Sequence, residues 1–300
     1  MTVVETAQRA ALAQRAAVAV SPRDDATGAG WTSLTRRLSA SLLALILPVA
    51  LIAFWQWSGT NGVVFGGALP TPDRVWTAWV NWAFGTPTFG LNPYVGTWLQ
   101  NVVFSAERVT KGFMVAIAAG VPLGIAIGWS RLFAKIVDPT IQWLRPVPIT
   151  AWLPISIAIF GIRDFGAIFL ITLGAFYPIV INATQGARAV DKNWIRAAQM
   201  MGASQAATLW RVVLPAAMPS IFTGLRIGLG IAWTAVIVAE MVAVKSGLGY
   251  VLWDAYYVGR MDIVLADMVS IGLLGYLSDR LIVALSGWLL TWHRLQSFSQ

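Results

Sequence analysis

The 300-residue chain reads as an all-α integral membrane protein with six membrane-crossing helices. Three observations predict that class. Hydrophobic residues make up 57% of the chain and charged residues only 11%, where soluble globular proteins carry roughly 25% charge. Mean hydropathy is +0.69, which leaves too little polar surface to cover one soluble domain. Uncharged stretches recur between Lys and Arg residues, each close to the ~20 residues that a helix needs to cross a bilayer. The 16 Trp fit the same picture, because Trp concentrates where bilayers meet water.

The same composition limits the chemistry. There is no Cys, which excludes disulfides, thiolate metal sites and Cys nucleophiles. The only His is His293, near the end, so a His-based catalytic centre or a multi-His metal site has nothing to work with. No catalytic residues, metal or cofactor are expected. A net charge of +8 on a soluble protein would raise nucleic acid as a partner. In so apolar a chain it raises the question of which membrane face holds the positive charges, and no nucleic-acid partner is expected.

Residues 1–40 are Ala-rich with scattered Arg and Asp, and read as a mobile cytoplasmic tail. Residues 41–57 form the first span, after Arg36-Arg37. A cleaved signal peptide is the alternative there, but the run ends in Phe54-Trp55-Gln56-Trp57, which suits an interface anchor better than a small-residue cleavage site. Residues 58–97 form a long periplasmic loop. Within it Thr71-Pro72 reads as an N-cap followed by proline at the first helical position. Trp76, Trp79, Val80 and Ala83 then share a face, so this is a helix lying on the outer surface or one packed within its loop. Residues 98–290 form the main domain, with spans at about 104–130, 140–162, 165–187, 216–242 and 264–290, and a cytoplasmic loop at 188–215. Residues 291–300 form a cytoplasmic tail.

Lys and Arg orient this arrangement. With the N-terminus inside, the inner segments hold twelve: Arg9, Arg15, Arg23, Arg36, Arg37, Arg131, Lys135, Arg188, Lys192, Arg196, Arg211 and Arg294. The outer segments hold four: Arg74, Arg163, Lys245 and Arg260. The excess predicts that both termini are cytoplasmic.

Packing is legible in small residues. Gly112, Ala116, Gly120, Gly124 and Gly128 recur every four residues, and Gly224, Gly228 and Ala232 repeat the spacing later. In lipid no hydrophobic force draws helices together, so close backbone approach along such stripes does so. They predict helix-packing seams in a compact bundle, and a dimer seam is a further reading. Arg226 points away from its glycine stripe, with Trp233 and Glu240 following at seven-residue steps. Arg226 and Glu240 are ~21 Å apart along one helix and cannot pair with each other. An ionisable group at mid-membrane usually faces a cavity or the bundle interior. Two readings stand. In one, Arg226, Trp233, Glu240, Met241 and Arg145 border a polar translocation path. In the other, the charges form buried pairs, Arg226 with Glu107 or Asp279 for instance. Asp279-Arg280 reads as a structural or inner-boundary pair.

The loop between the fourth and fifth spans runs from Asp191 to Pro219. Ala197 to Met201 favours helix, Gly202 can end it, Ser204 can cap a second helix reaching Val213, and Pro215 restarts the chain into the membrane. Ala197-Ala198, then Gly202, then Leu214-Pro215 resembles the cytoplasmic Glu-Ala-Ala loop of binding-protein-dependent ABC importer permeases. Leu144 to Pro154, Phe222 to Trp233, Val238 to Met241, and Gly247 to Tyr256 resemble the nitrate/sulfonate/taurine/bicarbonate branch, in order and spacing from about Tyr94 to Trp292. One departure stands out: Arg196 occupies the position of the motif's Glu, so the motif's usual polar contact is not carried over to it.

The resemblance implies a type I ABC importer permease (MetI-like) fold in a bacterial inner membrane. It implies coupling to two separate ATPase subunits through Arg196, Ala197, Ala198, Gly202, Ala203, Leu214 and Pro215. It also implies a second permease copy, as a homodimer, and a periplasmic substrate-binding protein. The chain has no Gly-x-x-x-x-Gly-Lys-Ser/Thr stretch to cradle phosphates, so the permease is not itself an enzyme. The branch implies a small anion: nitrate, bicarbonate or a sulfonate such as taurine. The alternatives are a permease for a non-anionic organic solute, an ion-coupled secondary transporter that needs no ATPase, and a membrane-embedded enzyme.

Overall fold

The computed structural model describes residues 46–62, 69–85 and 93–290. The tails at 1–40 and 291–300, the start of the first span and His293 lie outside the described residues. The chain divides into two units, Met1–Gly67 and Ala68–Gln300. In the first, helix α1 covers 46–61. Its last turn is closed by side chains, with Thr60 Oγ1 donating to Gln56 O at 3.0 Å and Asn61 Nδ2 to Trp57 O at 2.7 Å.

The second unit contains α2 (Pro72–Phe84), α3 (Trp98–Trp129), α4 (Arg131–Ile136), α5 (Asp138–Leu144), a 3-10 turn (Ile149–Trp152), α6 (Leu153–Phe160), α7 (Asp164–Arg188), α8 (Lys192–Met200), α9 (Gln205–Thr208), α10 (Leu214–Ala243), α11 (Leu248–Tyr257) and α12 (Met261–Leu289). Among the described residues, four helices are long and apolar enough to cross a membrane: α3, α7, α12 and the continuous run Gln205–Ala243.

Where the sequence suggests one straight span over 140–162, the chain bends by 94° between Arg131–Leu144 and Ile149–Phe160. Pro146 and Pro148 at the bend have no N–H to donate to a helical ladder. The neighbouring helices give the bent pair its topological meaning. A Cβ added at Gly112 would meet Ile171 at 2.6 Å, one at Gly120 would meet Ile179 at 3.0 Å, and one at Gly128 would meet Ala187 at 2.5 Å. The offset along both chains stays constant, so α3 and α7 run parallel, side by side. Two parallel spans in succession need one return crossing between them, and α4 to α6 supply it as a broken span.

Helix α7 is the hub. Its other side receives α10 in the opposite direction: Gly224 abuts Asn182 and Pro178, Gly228 abuts Ala175 and Ile179, and Gly186 abuts Ser220. Both predicted stripes are therefore seams within one chain. The stripe residues Gly112, Ala116, Gly120 and Gly124, and likewise Gly224, Gly228 and Ala232, are buried. Threonines tie the first seam across the interface, with Thr172 Oγ1 donating to Gly112 O at 3.1 Å and Thr184 Oγ1 to Gly124 O at 3.0 Å. A glycine carbonyl without a side chain over it can accept such a bond. By contrast α12 exposes Met268, Leu273, Leu277, Leu281 and Trp288, the apolar exterior that a bilayer requires.

Helix α2 starts with Pro72 at its first position, as the sequence predicts, but Thr71 makes no side-chain cap and only its carbonyl accepts, from Val75 N at 3.1 Å. It buries Val75, Ala78 and Trp82 and leaves Trp76 exposed. Trp79 Nε1 on α2 and Trp98 Nε1 on α3 both donate to Ser270 Oγ on α12 at 3.0 Å. Helix α2 is thus packed against α12 and α3 of the bundle.

Candidate functional site

Two features stand out, one at each end of the bundle. The first is the elbow between α7 and α10. Asp191 caps α8 by accepting from Asn193 N at 2.8 Å. The helix stops at Met200 because Gly202 turns to φ +84°, a conformation that side chains with a Cβ rarely adopt. Gly202 N donates to Gln199 O at 3.0 Å and Ala203 N to Ala198 O at 3.0 Å, which satisfies the helix-end carbonyls. Ser204 then caps α9, its Oγ accepting from Ala207 N at 3.2 Å.

The second arm does not stop before the membrane. Residues Leu209–Val213 form a π-turn, with Leu214 N donating to Leu209 O, and the helix runs on unbroken into α10. The sequence suggests that Pro215 restarts the chain. Instead the widened turn accommodates Pro215, whose missing N–H leaves one ladder bond unmade anyway. The elbow is thus a rigid lever on α10. Ala187, Val190 and Val213 form a small core beneath it, flanked by Ile195 and Ala216.

Among the charged and polar side chains on the elbow, its tip exposes large apolar ones. Met200 is 89% exposed, Met201 82% and Trp210 66%, with Trp194 also exposed. A groove of about 630 Å³ runs between Trp194, Ala197, Met201, Arg211 and Pro215. Ala198 is buried against it, while Arg196 and Ala197 are exposed, and Ala203, Leu214 and Pro215 are half-buried.

The second feature lies at the opposite end, around Glu240. Its carboxylate is fully buried. Arg108 Nη1 on α3 donates to Oε1 at 2.7 Å, Ser105 Oγ lies 2.9 and 2.8 Å from the two oxygens, and Gly249 N donates to Oε2 at 2.9 Å. Arg108 extends the network: Nε donates to Asp164 on α7 at 2.8 Å, and Nη1 and Nη2 hold Ser246 O and Oγ at 2.8 and 2.6 Å. Leu248 N donates to Ser105 Oγ at 2.8 Å and Gly247 N to Asn101 Oδ1 at 3.0 Å. Gly247 adopts φ +103°, and a Cβ there would run into the Glu240 carboxylate. The turn after α10 is thereby locked onto α3 and α7.

Arg226 makes a two-pronged ion pair with Asp279 on α12, at 2.8 and 2.9 Å. Trp233 is buried, with Nε1 donating to Ser278 Oγ at 2.9 Å. The Arg226–Trp233–Glu240 line therefore faces α12, α3 and α11. Arg280 sits over the Tyr276 ring at 4.9 Å. Met241 is half-buried, and Arg145 is exposed beside a cavity of about 420 Å³ shared with Pro148, Tyr177, Asn182, Ile227 and Ile231. Ser105, Asn101 and Ser246 are not visible as site residues in the sequence. The available signal is Arg108, an ionisable residue ahead of a long apolar run that needs a buried acid, with Glu240 the unmatched acid.

The fold and the elbow define a helical bundle of membrane-spanning type that carries a helix–turn–helix lever at one end. The chain belongs to the family of binding-protein-dependent transport system inner membrane components, whose family model matches residues 120–290. The taurine transport system permease protein TauC of Escherichia coli K12 is 37% identical over 256 residues, covering 85% of this chain and 90% of its own. The bicarbonate transport system permease protein CmpB of Synechococcus elongatus is 32% identical over 276 residues, covering 89% of this chain and 96% of its own. A chain of the MetNI methionine ABC transporter, in an inward-facing conformation, shares the fold with a TM-score of 0.57 at 21% identity, over 65% of this chain and 98% of that one. The chain is an ABC importer permease subunit, and ATP hydrolysis falls to a separate subunit.

Proposed function

We propose that this permease imports a small anion of the sulfonate or bicarbonate class, with nitrate the third member of the set, and that two copies form the pathway between two ATPase subunits. The relatives named as taurine and bicarbonate permeases support the substrate class. A periplasmic binding protein delivers the solute, and the elbow and both termini lie on the cytoplasmic side, where Arg188, Lys192, Arg196 and Arg211 cluster.

The observation that carries the coupling role is the elbow's apolar tip joined without a break to α10. An apolar patch of that kind on a rigid lever fits insertion into a partner's groove. Displacement of the tip would move α10 as a body, and α10 carries an open row of Thr223, Ile227, Gly230 and Thr234. Small and hydroxyl-bearing residues in that row, beside Arg145 and Asn182, suit a path lining better than lipid. Arg145 supplies the positive potential that draws an anion. Glu240 and Trp233, enclosed within the chain, serve as scaffold in this reading.

Gly202→Pro tests it. Proline cannot adopt φ +84° and would remove the Gly202 N–H bond. In vesicles holding the permease, its ATPase and its binding protein, ATP hydrolysis should persist while uptake of radiolabelled taurine or bicarbonate falls. Uptake at the wild-type rate would reject the coupling role.

A further inference from the structure

Beside the Glu240 network, at the end of the bundle remote from the elbow, a cleft of about 590 Å³ opens between α3, the first turn of α7 and the turn after α10. Four cationic and two anionic side chains line it. Both acids are already matched. Glu107 accepts from Lys111 at 2.5 Å, and Asp164 accepts from Arg108. Arg108 has no capacity left, since its nitrogens are held by Asp164, Glu240 and Ser246.

Two cations remain, Arg163 and Lys245. Both are exposed, and neither makes an ion pair among the described residues. Arg163 sits at the N-cap of the 25-residue α7, which begins in the cleft without a side-chain cap. The positive end of that helix dipole adds to the field. Phe104, Ile162, Phe165 and Val244 supply apolar walls, which limit screening and strengthen the attraction of a bound charge. The volume lies within the range of small-molecule sites.

We propose that this cleft is a low-affinity site for a small soluble oxyanion, of sulfonate or bicarbonate size, held between Arg163 and Lys245. The proposal rests on the anion reading above and gives the substrate a landing place at the outer mouth, over the locked turn. The apolar walls leave room for the short carbon chain of an organic sulfonate. A phospholipid headgroup offers the same phosphate-like chemistry, and the test separates the two sources.

The full chain with its ATPase is placed in nanodiscs of neutral phosphatidylcholine, and trifluoromethanesulfonate is titrated by fluorine NMR line width. Saturable broadening, reversed by methanesulfonate, is the expected result. Arg163→Gln with Lys245→Gln should weaken binding about tenfold or more, by loss of both charges, while Lys135→Gln at the elbow end should leave it unchanged. Equal binding by the double variant, or no saturation in the wild type, overturns the proposal. Loss of the broadening on adding a small fraction of phosphatidylglycerol also overturns it, because the site then holds lipid. The titration uses neither ATP nor binding protein, so a missing site and a missing anion-import activity are read separately.

Discussion

Removing Arg108 tests whether the network around Glu240 holds the bundle together. The Arg108 side chain is only 6% exposed and the Glu240 carboxylate not at all. Arg108→Ala would leave that carboxylate with Ser105 and the Gly249 N–H as its remaining donors. Deleting one partner of a buried pair costs about 3–5 kcal/mol, because the other charge stays buried without compensation. Asp164, the second acid on Arg108, is largely exposed, so water can take over there and little is added. At about 2–4 °C per kcal/mol for a domain of this size, the melting temperature should fall on the order of 10 °C. The readout is heating followed by size-exclusion chromatography, using native fluorescence from the 16 Trp. Arg108→Met combined with Glu240→Gln should regain much of the loss, since two neutral groups of similar size remove the stranded charge. An Arg108→Ala protein that melts with the wild type would refute the reasoning. So would a double variant no more stable than the single one.

Further expectations concern other parts of the bundle. Gly124→Val should separate α3 from α7, because a Cβ there would lie 2.6 Å from both Ala183 Cβ and Val180 O; expression with a monodisperse gel-filtration peak would count against the seam. Arg226→Ala breaks a pair that is half open to its surroundings, so uptake should fall while the folded bundle persists; loss of folded protein instead would make the pair a structural one. Tyr94 supplies a pH test outside the spans. Burial, and then its bond to Asp254 at 2.7 Å, push the phenol above its usual range. The folded state therefore holds that proton more tightly than the unfolded chain. Its contribution is fully present below the unfolded phenol value near pH ~10 and is lost as pH rises through the higher folded value. Tyr94→Phe should flatten the alkaline part of the melting-temperature profile, and an unchanged slope would disprove the assignment.

What the sequence by itself determined is whatever depends on local chemistry along one helix. The four-residue glycine spacing foretold close seams, since small residues are the means by which helices associate in lipid. Gly202 followed by Ser204 foretold the elbow, since a left-handed turn and a hydroxyl cap are local requirements. The bend at Pro146 and Pro148 is not among these features: on length and apolarity alone, 140–162 reads as one straight span. Partner choice was left to the tertiary structure. Only folding showed that both glycine stripes close onto α7, with α3 parallel and α10 antiparallel to it, and so are internal seams. Only folding matched Arg108 with Glu240, across 132 positions of chain, and Arg226 with Asp279. A charge in an apolar run announces that it needs a counter-charge. Which of several it meets depends on helix rotation and neighbour order, and neither has a period that can be read along the chain.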